Sequence, residues 1–568
     1  MTIAQTSKIQ FNKNSTVIDI LLIIFIWSIS LIITNPLGDF PLRDDWSYGL
    51  TVKHLINTGD FRPIGWTAMP LITHAIWGGV FCLFFGFSFE ILRISTLTLS
   101  LIGILGVYFM VMYLYHSRRL AIIIALTIGF NPINYALSYS FMTDVPFTTT
   151  TIFAIFFLVK NLKNNSDFDL IFGIMFMVIA VLNRQLAIAI PLAYAVSNIL
   201  KNGFTMQSAI RSALPLTICF CILFAFEQWL EITDRLPILY NTKSDKLIQA
   251  FTETKTIFCF AKNLLITLLY LGWFLLPVLI FVVGNILTNL KKRNIIILVL
   301  ITIFLIVIGG MELSRNGLLM PLSHTVITKS GIGPFTLQDV FFLGLPHIPV
   351  LPHSFWLIIT CFSLLGSILL IIITSITTVR LLPVFWPGKM NSEQTIISFL
   401  FIFIIIYLFP LLVMGFWDRY FIPIIPIAAI VTSFFFTECP IINDKKNFFI
   451  SIILIAFFML FSTCGTRDYL TWNRTRWEVL NNLMTSKDLT AEDIDGGFEF
   501  NGLHLYSPHY RPKLGKSWWW INRDKYIVAF GPIPEYSIIQ QHTYYQWMPP
   551  QNNSIFLLKK NQPCRSEK

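Results

Sequence analysis

Charged residues are scarce in this chain: Asp, Glu, Lys and Arg make up only 12% of its 568 residues. Soluble domains average about 25% charged residues, so this composition excludes an ordinary soluble enzyme. Hydrophobic residues reach 55%, and the mean hydropathy is +0.69. Several apolar runs approach the roughly 20 residues that a helix needs to cross a bilayer, which predicts a protein with many membrane spans.

These apolar runs also lack the alternation of apolar and polar residues that transmembrane β-strands show. Only helices or closed barrels satisfy the backbone within lipid, so the spans are predicted to be α-helices. The predicted fold class is therefore an all-α polytopic membrane protein with a small α+β domain at its C-terminal end.

Signals for metal binding are missing as well. The eight cysteines contain no CxxC pair, and five of them lie in apolar runs, where they are expected to be small buried hydrophobes: Cys82, Cys219, Cys221, Cys259 and Cys361. A disulfide between Cys464 and Cys564 is a hypothesis, since both could face an oxidising compartment. His347 and His353 could approach one another, but the histidines show no ligand spacing. We expect neither a metal nor another cofactor.

About thirteen membrane spans are predicted, near residues 17–34, 91–115, 120–137, 145–160, 168–182, 186–200, 211–230, 264–289, 294–310, 354–379, 395–414, 420–437 and 447–464. Residues 17–34 are predicted to remain as the first helix, with a cytoplasmic N-terminus, because no convincing signal-peptide cleavage site follows. Residues 168–182 and 186–200 are short for spans, and one re-entrant hairpin is the alternative there. An odd number of spans places the C-terminus outside the cytoplasm.

The basic residues support this topology. The net charge of +11 comes from Lys and Arg in the short connections that are expected to be cytoplasmic, at Arg118/Arg119, Lys160/Lys163, Lys201/Arg211, Lys291/Lys292/Arg293, Arg380/Lys389 and Lys445/Lys446. Cytoplasmic loops of membrane proteins carry such an excess of positive charge. The charge therefore indicates orientation in the membrane, and no nucleic-acid partner is expected.

The long connections fall on the opposite, outer side. They are residues 35–90, 231–263 and 311–353, and the tail 465–568, so residues 1–464 are predicted as a membrane domain and 465–568 as an extracytoplasmic domain. The first loop is predicted to hold two helices, Tyr48–Asn57 and the apolar, interfacial Thr67–Phe85.

The tail is predicted to contain a helix, Trp472–Met484, and strands at Tyr526–Phe530 and Ser554–Leu558. Its run Trp518-Trp519-Trp520 has two alternative interpretations. The three side chains could anchor the domain at the membrane interface, which tryptophan favours, or belong to the core of the domain.

Candidate chemistry begins with Asp44 and Asp45, about ten residues after the first span. Two adjacent carboxylates could be a solvated turn, or a general base with a neighbour that orients substrate or tunes its pKa. Asp144 stands at the outer end of another span, where Pro146 fits the first helical turn and the acid could simply be a helix cap.

Two arginines are predicted on the same outer side. Arg184 interrupts an apolar stretch, where a charge is costly, and Arg419 lies between two spans. Each could pair locally, and Asp418 is the obvious partner for Arg419. A guanidinium also suits a phosphate group, because it donates hydrogen bonds in a planar fork.

These segments resemble a known family. An acidic pair early in the first external loop, then Gly59 and the segment FGFSFEILRISTL, resembles the GT-C superfamily of membrane glycosyltransferases. Within it, the chain is most similar to the branch of protein O-mannosyltransferases and the lipid A aminoarabinose transferase. SYSFMTDVPF, with Asp144, is similar to the second external acidic motif of that branch. IDGGFEFNGLHLY resembles the external tail of some bacterial members.

The segment WDRYFIPIIP is similar to the late Arg-Tyr helix of the branch, here Arg419 and Tyr420 followed by two prolines. The first-loop motif of the branch is usually Asp-Glu, whereas this chain has Asp44-Asp45. That difference leaves open which acid is the base, although the family pattern favours the first.

The resemblance implies an inverting transfer of a sugar from a polyprenyl- or dolichyl-phosphate donor to an acceptor hydroxyl of a lipid, glycan or protein. Asp44 would be the base, Asp45 and Asp144 would orient substrate, and Arg184, Arg419 and Tyr420 would bind the phosphate end of the donor. The expected location is a bacterial inner membrane, which the sequence does not separate from the endoplasmic reticulum. The alternatives are a transporter or flippase of lipid-linked sugars, another membrane enzyme of lipid-linked glycans, or a non-catalytic relative.

Overall fold

The computed structural model describes residues 13–252, 256–287, 319–323, 325–381, 384–434, 445–485, 489–512, 517 and 519–561, and residues 300, 303 and 307 singly. The helices in chain order are α1 (Lys13–Thr34), α2 (Asp45–Thr58), α3 (Ile72–Phe85), α4 (Phe89–Tyr115), α5 (Arg118–Gly129), α6 (Pro132–Ser138), α7 (Asp144–Asn164), α8 (Asp167–Val181), α9 (Ala189–Asn202), α10 (Met206–Ile232), α11 (Thr242–Thr252), α12 (Thr256–Leu287), α13 (Gln338–Phe341), α14 (His353–Leu381), α15 (Ser392–Met414), α16 (Ile424–Thr432), α17 (Lys445–Met484) and α18 (Phe498–Leu505). The prediction of a multi-pass, mainly helical membrane protein is confirmed.

Eight described helices are long and apolar enough to cross a membrane, namely α1, α4, α7, α10, α12, α14, α15 and α17. Helices α5 and α6 make a ninth candidate, bent by 62° at a short break before Pro132. The count of thirteen is not reached among the described residues. Helices α8 and α9 stay separate but have only 15 and 14 residues, α16 has nine, and the predicted span 294–310 lies almost wholly outside the described residues.

The first long loop, residues 35–90, folds as predicted into two helices. Helix α2 ends at Gly59, whose left-handed backbone (φ 72°) is favourable for glycine, and α3 ends at Gly86. The last turn of α3 exposes Leu83, Phe84 and Phe85, and the helix is too short to cross a bilayer. These features fit a helix that lies along the membrane surface.

Arg93 of α4 fixes the start of this loop. Its guanidinium is buried and donates hydrogen bonds to the carbonyl oxygens of Pro36, Gly38 and Phe40 at 2.6–2.9 Å. Its Nε donates to the carbonyl of Tyr139, just before α7. One side chain therefore holds together the two segments that carry Asp44 and Asp144.

The tail forms a four-stranded sheet in the order β3-β4-β6-β5, with strands β3 (Ile494–Asp495), β4 (Tyr526–Ala529), β5 (Tyr536–Trp547) and β6 (Pro550–Lys560). A separate two-stranded hairpin, β1 (Ile327–Thr328) and β2 (Gly331–Ile332), belongs to the long connection before α14. The predicted strands at 526–530 and 554–558 are confirmed as β4 and part of β6. The predicted helix 472–484 is the end of α17, which runs unbroken from the last span into the tail.

The tail packs directly on α2. A Cβ atom added to Gly502 of α18 would lie within 2.8 Å of the Trp46 ring, so the absence of a side chain allows the two helices to meet. Trp519 and Trp520 are buried in the same aromatic cluster, together with Phe498. For these two tryptophans the prediction of a membrane anchor is wrong, because their rings form the core between tail and loop. Trp518 lies outside the described residues.

A buried ion pair completes this contact. Arg476 of α17 and Glu499 of α18 are fully buried and approach to 2.9 Å, and Thr336 donates a hydrogen bond to the same carboxylate. The other oxygen of Glu499 accepts the backbone N–H of Arg43 at 3.1 Å. The tail is thereby connected to the residue that precedes Asp44.

We predict that Arg476→Met destabilises the protein severely. Removal of one partner leaves the Glu499 charge buried and unpaired, which costs about 3–5 kcal/mol in comparable pairs. The matched control is Arg523→Met, whose pair with Glu492 is largely exposed and whose second partner, Asp493, keeps Lys525 at 3.1 Å, so the change is expected to cost at most about 1 kcal/mol. Unfolding midpoints in detergent measure both changes, and equal shifts for the two variants would contradict the prediction.

Candidate functional site

Asp44 lies at the turn into α2, after Arg43 adopts a left-handed backbone (φ 57°). Its side chain makes no capping hydrogen bond to the helix. Instead, Oδ1 accepts the indole N–H of Trp66 at 2.9 Å, and Oδ2 lies 3.6 Å from Nη1 of Arg419. With 19% of the side chain exposed, Asp44 remains accessible. It is therefore a positioned carboxylate and not a solvated turn residue.

Asp45 points the other way, into the protein. Its side chain is 2% exposed and accepts the backbone N–H of Leu42 at 3.3 Å. Burial raises the pKa of this carboxyl to about 8, although backbone N–H groups and the nearby Arg93 favour its charged form. The two adjacent acids therefore have different environments: at neutral pH Asp45 holds its proton, and Asp44 has an arginine and an indole N–H as partners.

Asp144 is the first residue of α7 and is completely buried. Thr143 takes the position before the helix, and Asp144 forms a 2.9 Å ion pair with Nη2 of Arg184 in place of a helix cap. Arg184 lies between α8 and a short 3-10 helix, Gln185–Ile188, and its Nε donates to the Thr143 hydroxyl. Among the described residues, Oδ2 of Asp144 has no hydrogen-bond donor. A buried carboxylate oxygen without a donor is rare and is available to a substrate hydroxyl.

Arg419 belongs to a 3-10 turn, Asp418–Phe421, just after the C-terminal end of α15. The prediction that Asp418 pairs with it is wrong, because that carboxylate accepts the backbone N–H groups of Val326 and Ile327 at 2.8–3.1 Å. Arg419 turns instead toward Asp44. Its Nε is buried and meets no acceptor among the described residues, so part of the guanidinium can bind an anion.

Tyr420 joins the two arginines. The guanidinium carbons of Arg184 and Arg419 lie 5.8 and 5.7 Å from its ring centroid, within cation–π range. The structure thus brings Asp44, Asp144, Arg184, Arg419 and Tyr420 into one cluster, and places Asp45 behind it.

Two further residues of the cluster were missed by the sequence analysis. Tyr48 is one helical turn after Asp44 and is buried among the same charges, which include Arg419 and Asp144. His74 of α3 stacks on Phe141 at 3.8 Å, and burial lowers its pKa to about 4, so it is neutral. The four-residue spacing from Asp44 to Tyr48 was a helical signal that could have been used. Nothing in the sequence marks His74.

An apolar cavity of about 650 Å³ opens beside this cluster. Tyr420 and Gln185 reach its wall, which otherwise consists of Ala68, Leu186, Ile188, Glu227, Tyr240, Asn241, Lys246, Leu247, Pro410, Leu411, Met414, Gly415, Phe416 and Trp417. The end of α15 and the turn after it, from Pro410 to Tyr420, contribute the largest share of this lining, and α10 contributes Glu227. The volume is in the range of small-molecule sites, and the lining suits a chain of hydrocarbon with a polar end at the arginines.

The cluster can bind an anion and accept a proton. Two guanidinium groups are fixed by buried partners, and one accessible carboxylate stands beside them. Within the described residues, no group of three or more His, Cys, Asp or Glu side chains is arranged to hold a metal ion.

Comparison with known families identifies one match. Residues 68–230 fit the family described as dolichyl-phosphate-mannose-protein mannosyltransferase. The matched stretch contains Asp144 and Arg184 and ends near the cavity wall. The resemblance to the GT-C superfamily that the motifs indicated is confirmed. A search of curated proteins finds no matching relative.

Two solved structures of one protein are among the distant structural matches. The apo crystal structure of ArnT from Cupriavidus metallidurans has 12% identity and a TM-score of 0.41, and the match covers 96% of this chain and 98% of that one. The structure of the same protein bound to undecaprenyl phosphate has 13% identity, a TM-score of 0.44 and the same coverage of both chains. The low identities and TM-scores describe only a broad similarity.

We predict that Asp45→Asn changes the pH dependence of stability. The folded protein keeps the Asp45 proton up to about pH 8, whereas an unfolded chain releases it near the ordinary value of 3.8. This group therefore destabilises the wild type progressively as pH rises from about 4 to about 8. Asparagine does not titrate, so the unfolding midpoint of the variant should rise relative to wild type over that range. A difference that is constant with pH would contradict the assignment.

Proposed function

We propose that this protein transfers a sugar from a polyprenyl-phosphate donor to an acceptor hydroxyl on the extracytoplasmic side of the membrane. The observation that carries the proposal is the cluster of Asp44, Asp144, Arg184 and Arg419 beside an apolar cavity. A lipid-phosphate donor needs both parts, because its phosphate is anionic and its isoprenoid is hydrocarbon. The family match over residues 68–230 supports the same class of donor.

The donor phosphate would bind between the two arginines. Arg419 has unused donor capacity at its buried Nε, and its contact with Asp44 is a long 3.6 Å. A phosphate oxygen would compete well for this guanidinium, since charge-assisted hydrogen bonds are stronger at close range and away from water. Tyr420, which faces both arginines, lies at the boundary between the cluster and the cavity that would hold the isoprenoid.

Asp44 is the acid best suited to act as the base. It is accessible, and Trp66 and Arg419 fix its two oxygens in orientation. Asp45 is already protonated at neutral pH and is turned away from the cluster. Asp144 is neutralised by Arg184, and its second oxygen is placed to accept a hydroxyl of the sugar or the acceptor.

The reaction is then a single displacement. The acceptor oxygen forms a bond to the anomeric carbon while Asp44 takes the proton from that oxygen. The bond between the anomeric carbon and the phosphate oxygen breaks, and the electron pair leaves with the polyprenyl phosphate. Arg419 and Arg184 stabilise the additional negative charge on that phosphate, in a site where water is largely excluded.

A carrier of lipid-linked sugars is the second candidate. Its polar residues would be expected near the middle of the bilayer. In this protein the charged cluster lies at the start of α7 and after the end of α15, next to the first loop, and these helix ends would face the extracytoplasmic side. This placement favours chemistry at the outer surface over passage through the membrane.

We predict that Asp44→Asn abolishes transfer and Asp45→Asn does not. Both variants replace a carboxylate by an amide at adjacent positions, so each is the matched control for the other. Loss of the base should reduce kcat by about two orders of magnitude or more, whereas loss of an already neutral carboxyl should leave kcat within about tenfold. The measurement is transfer from a panel of radiolabelled polyprenyl-phosphate sugars in proteoliposomes, with and without EDTA.

Three outcomes would count against this proposal. Equal activity of Asp44→Asn and wild type excludes Asp44 as the base. Dependence of the wild type on a divalent metal contradicts the arginine-based stabilisation of the leaving group. Movement of lipid-linked sugar across the vesicle without transfer indicates a flippase.

A further inference from the structure

A carboxylate lies in the wall of the cavity without an ionic partner. Glu227 belongs to the outer part of α10, a helix long and apolar enough to span the membrane. The hydroxyl of the buried Tyr240 donates to its Oε1 at 3.1 Å. Among the described residues, no lysine or arginine forms an ion pair with Glu227. Charged residues within spans are costly, and where they face a cavity they usually mark a function.

The cavity wall places Glu227 close to the charged cluster. Gln185, which lines the same cavity, directly follows Arg184, and Tyr420 directly follows Arg419. On the opposite side, the backbone N–H of Leu239, next to Tyr240, donates to the carbonyl of Gly65 at 3.4 Å. Gly65 precedes Trp66, the indole that orients Asp44. The polar part of the cavity wall is therefore connected to the proposed reaction site through adjacent residues on three segments.

We infer that Glu227, with Tyr240 and Gln185, binds a hydrogen-bond-donating group of the transferred sugar and so contributes to donor specificity. The inference rests on the proposed function. The isoprenoid would lie along the apolar part of the cavity, and for the polar part of its wall the chemistry of the donor leaves one candidate. A carboxylate repels the phosphate, and the isoprenoid has no hydrogen-bond donor, whereas a sugar carries hydroxyl or ammonium groups. Tyr240 occupies one oxygen of Glu227, and the remaining lone pairs can accept from the sugar.

A purely structural role would explain less. A glutamine at position 227 could accept the Tyr240 hydroxyl equally well, without the cost of placing a charge in a membrane helix. The carboxylate is needed only if its charge or its additional acceptor capacity has a use. Glu231, one turn further along α10, is exposed and does not line the cavity, so it provides a matched control.

The test is direct binding to the purified full-length protein in nanodiscs. Radiolabelled polyprenyl-phosphate hexoses and pentoses, together with their deoxy and amino analogues, are compared with bare polyprenyl phosphate. Wild type should bind at least one sugar-bearing lipid more tightly than the bare lipid. Glu227→Ala should reduce that preference by about tenfold to a hundredfold, as expected for a hydrogen bond to a charged group, and leave binding of the bare lipid unchanged. Glu231→Ala should change neither.

Glu227→Gln separates the two kinds of sugar group. Glutamine keeps an acceptor oxygen but no charge, so a preference that depends on a hydroxyl should largely persist. A preference that depends on an ammonium group should disappear, as in Glu227→Ala. The deoxy analogue that binds equally to wild type and Glu227→Ala identifies the hydroxyl involved.

Failure of this inference is distinguishable from failure of the proposed function. Arg419→Gln should weaken the binding of all the lipids, because it removes a contact to the phosphate that they share. The inference is overturned, and the donor site stands, if Arg419→Gln weakens the binding of every lipid but Glu227→Ala leaves the preference for sugar-bearing lipids unchanged. The same conclusion follows if Glu227→Ala weakens the binding of bare and sugar-bearing lipids equally. If wild type shows no preference for any sugar, the inference is also overturned. If Arg419→Gln changes no affinity, the proposed donor site itself is contradicted.

Discussion

The structure depends on keeping opposite charges together where water is scarce. Asp144 and Arg184 are buried as a 2.9 Å pair, and Arg419 faces both Asp144 and Asp44. Charges in such surroundings are tolerated only when they are paired, and the energy of each depends strongly on its partner. The cluster draws on four segments that are far apart in sequence: the first loop, the start of α7, the turn after α8 and the turn after α15. Their packing is therefore coupled to the integrity of one small set of side chains.

Buried polar contacts outside the cluster give this set its geometry. Arg93 ties the beginning of the first loop to the segment before α7 by hydrogen bonds to four carbonyl groups. Glu499, held by Arg476, accepts the backbone N–H of the residue before Asp44. The tail is consequently part of the support for the site, because it fixes the turn that aims Asp44. Its aromatic residues Phe498 and Trp520 pack on Trp46 of α2, two residues after Asp44.

The sequence predicts the local features well and the long-range pairings poorly. The low charge, the apolar runs and Gly59 are enough to predict spans and loop helices, because these depend on neighbouring residues. The family motifs predict Asp44, Asp144, Arg419 and Tyr420 as members of one site, and its position as a charge in an apolar stretch adds Arg184. They do not show that Asp418 would bind the loop at Val326 and leave Arg419 for Asp44, or that Asp45 would be turned inward. Those outcomes depend on which distant segments pack around each side chain, and a single sequence contains no direct signal for that packing. The same limit explains Trp520, whose ring contacts Trp46 and Trp66 more than 400 positions earlier in the chain.

In the proposed reaction Asp44 deprotonates the acceptor in a single displacement, while the arginines stabilise the charge of the leaving phosphate. The most direct test is the anomeric configuration of the product, determined by NMR after transfer from a polyprenyl-phosphate sugar of known configuration. A single displacement inverts the configuration at the anomeric carbon, so we expect a product of inverted configuration. Retention of configuration would require two successive displacements, with a covalent intermediate on a carboxylate, and would contradict the assignment of Asp44 as a base.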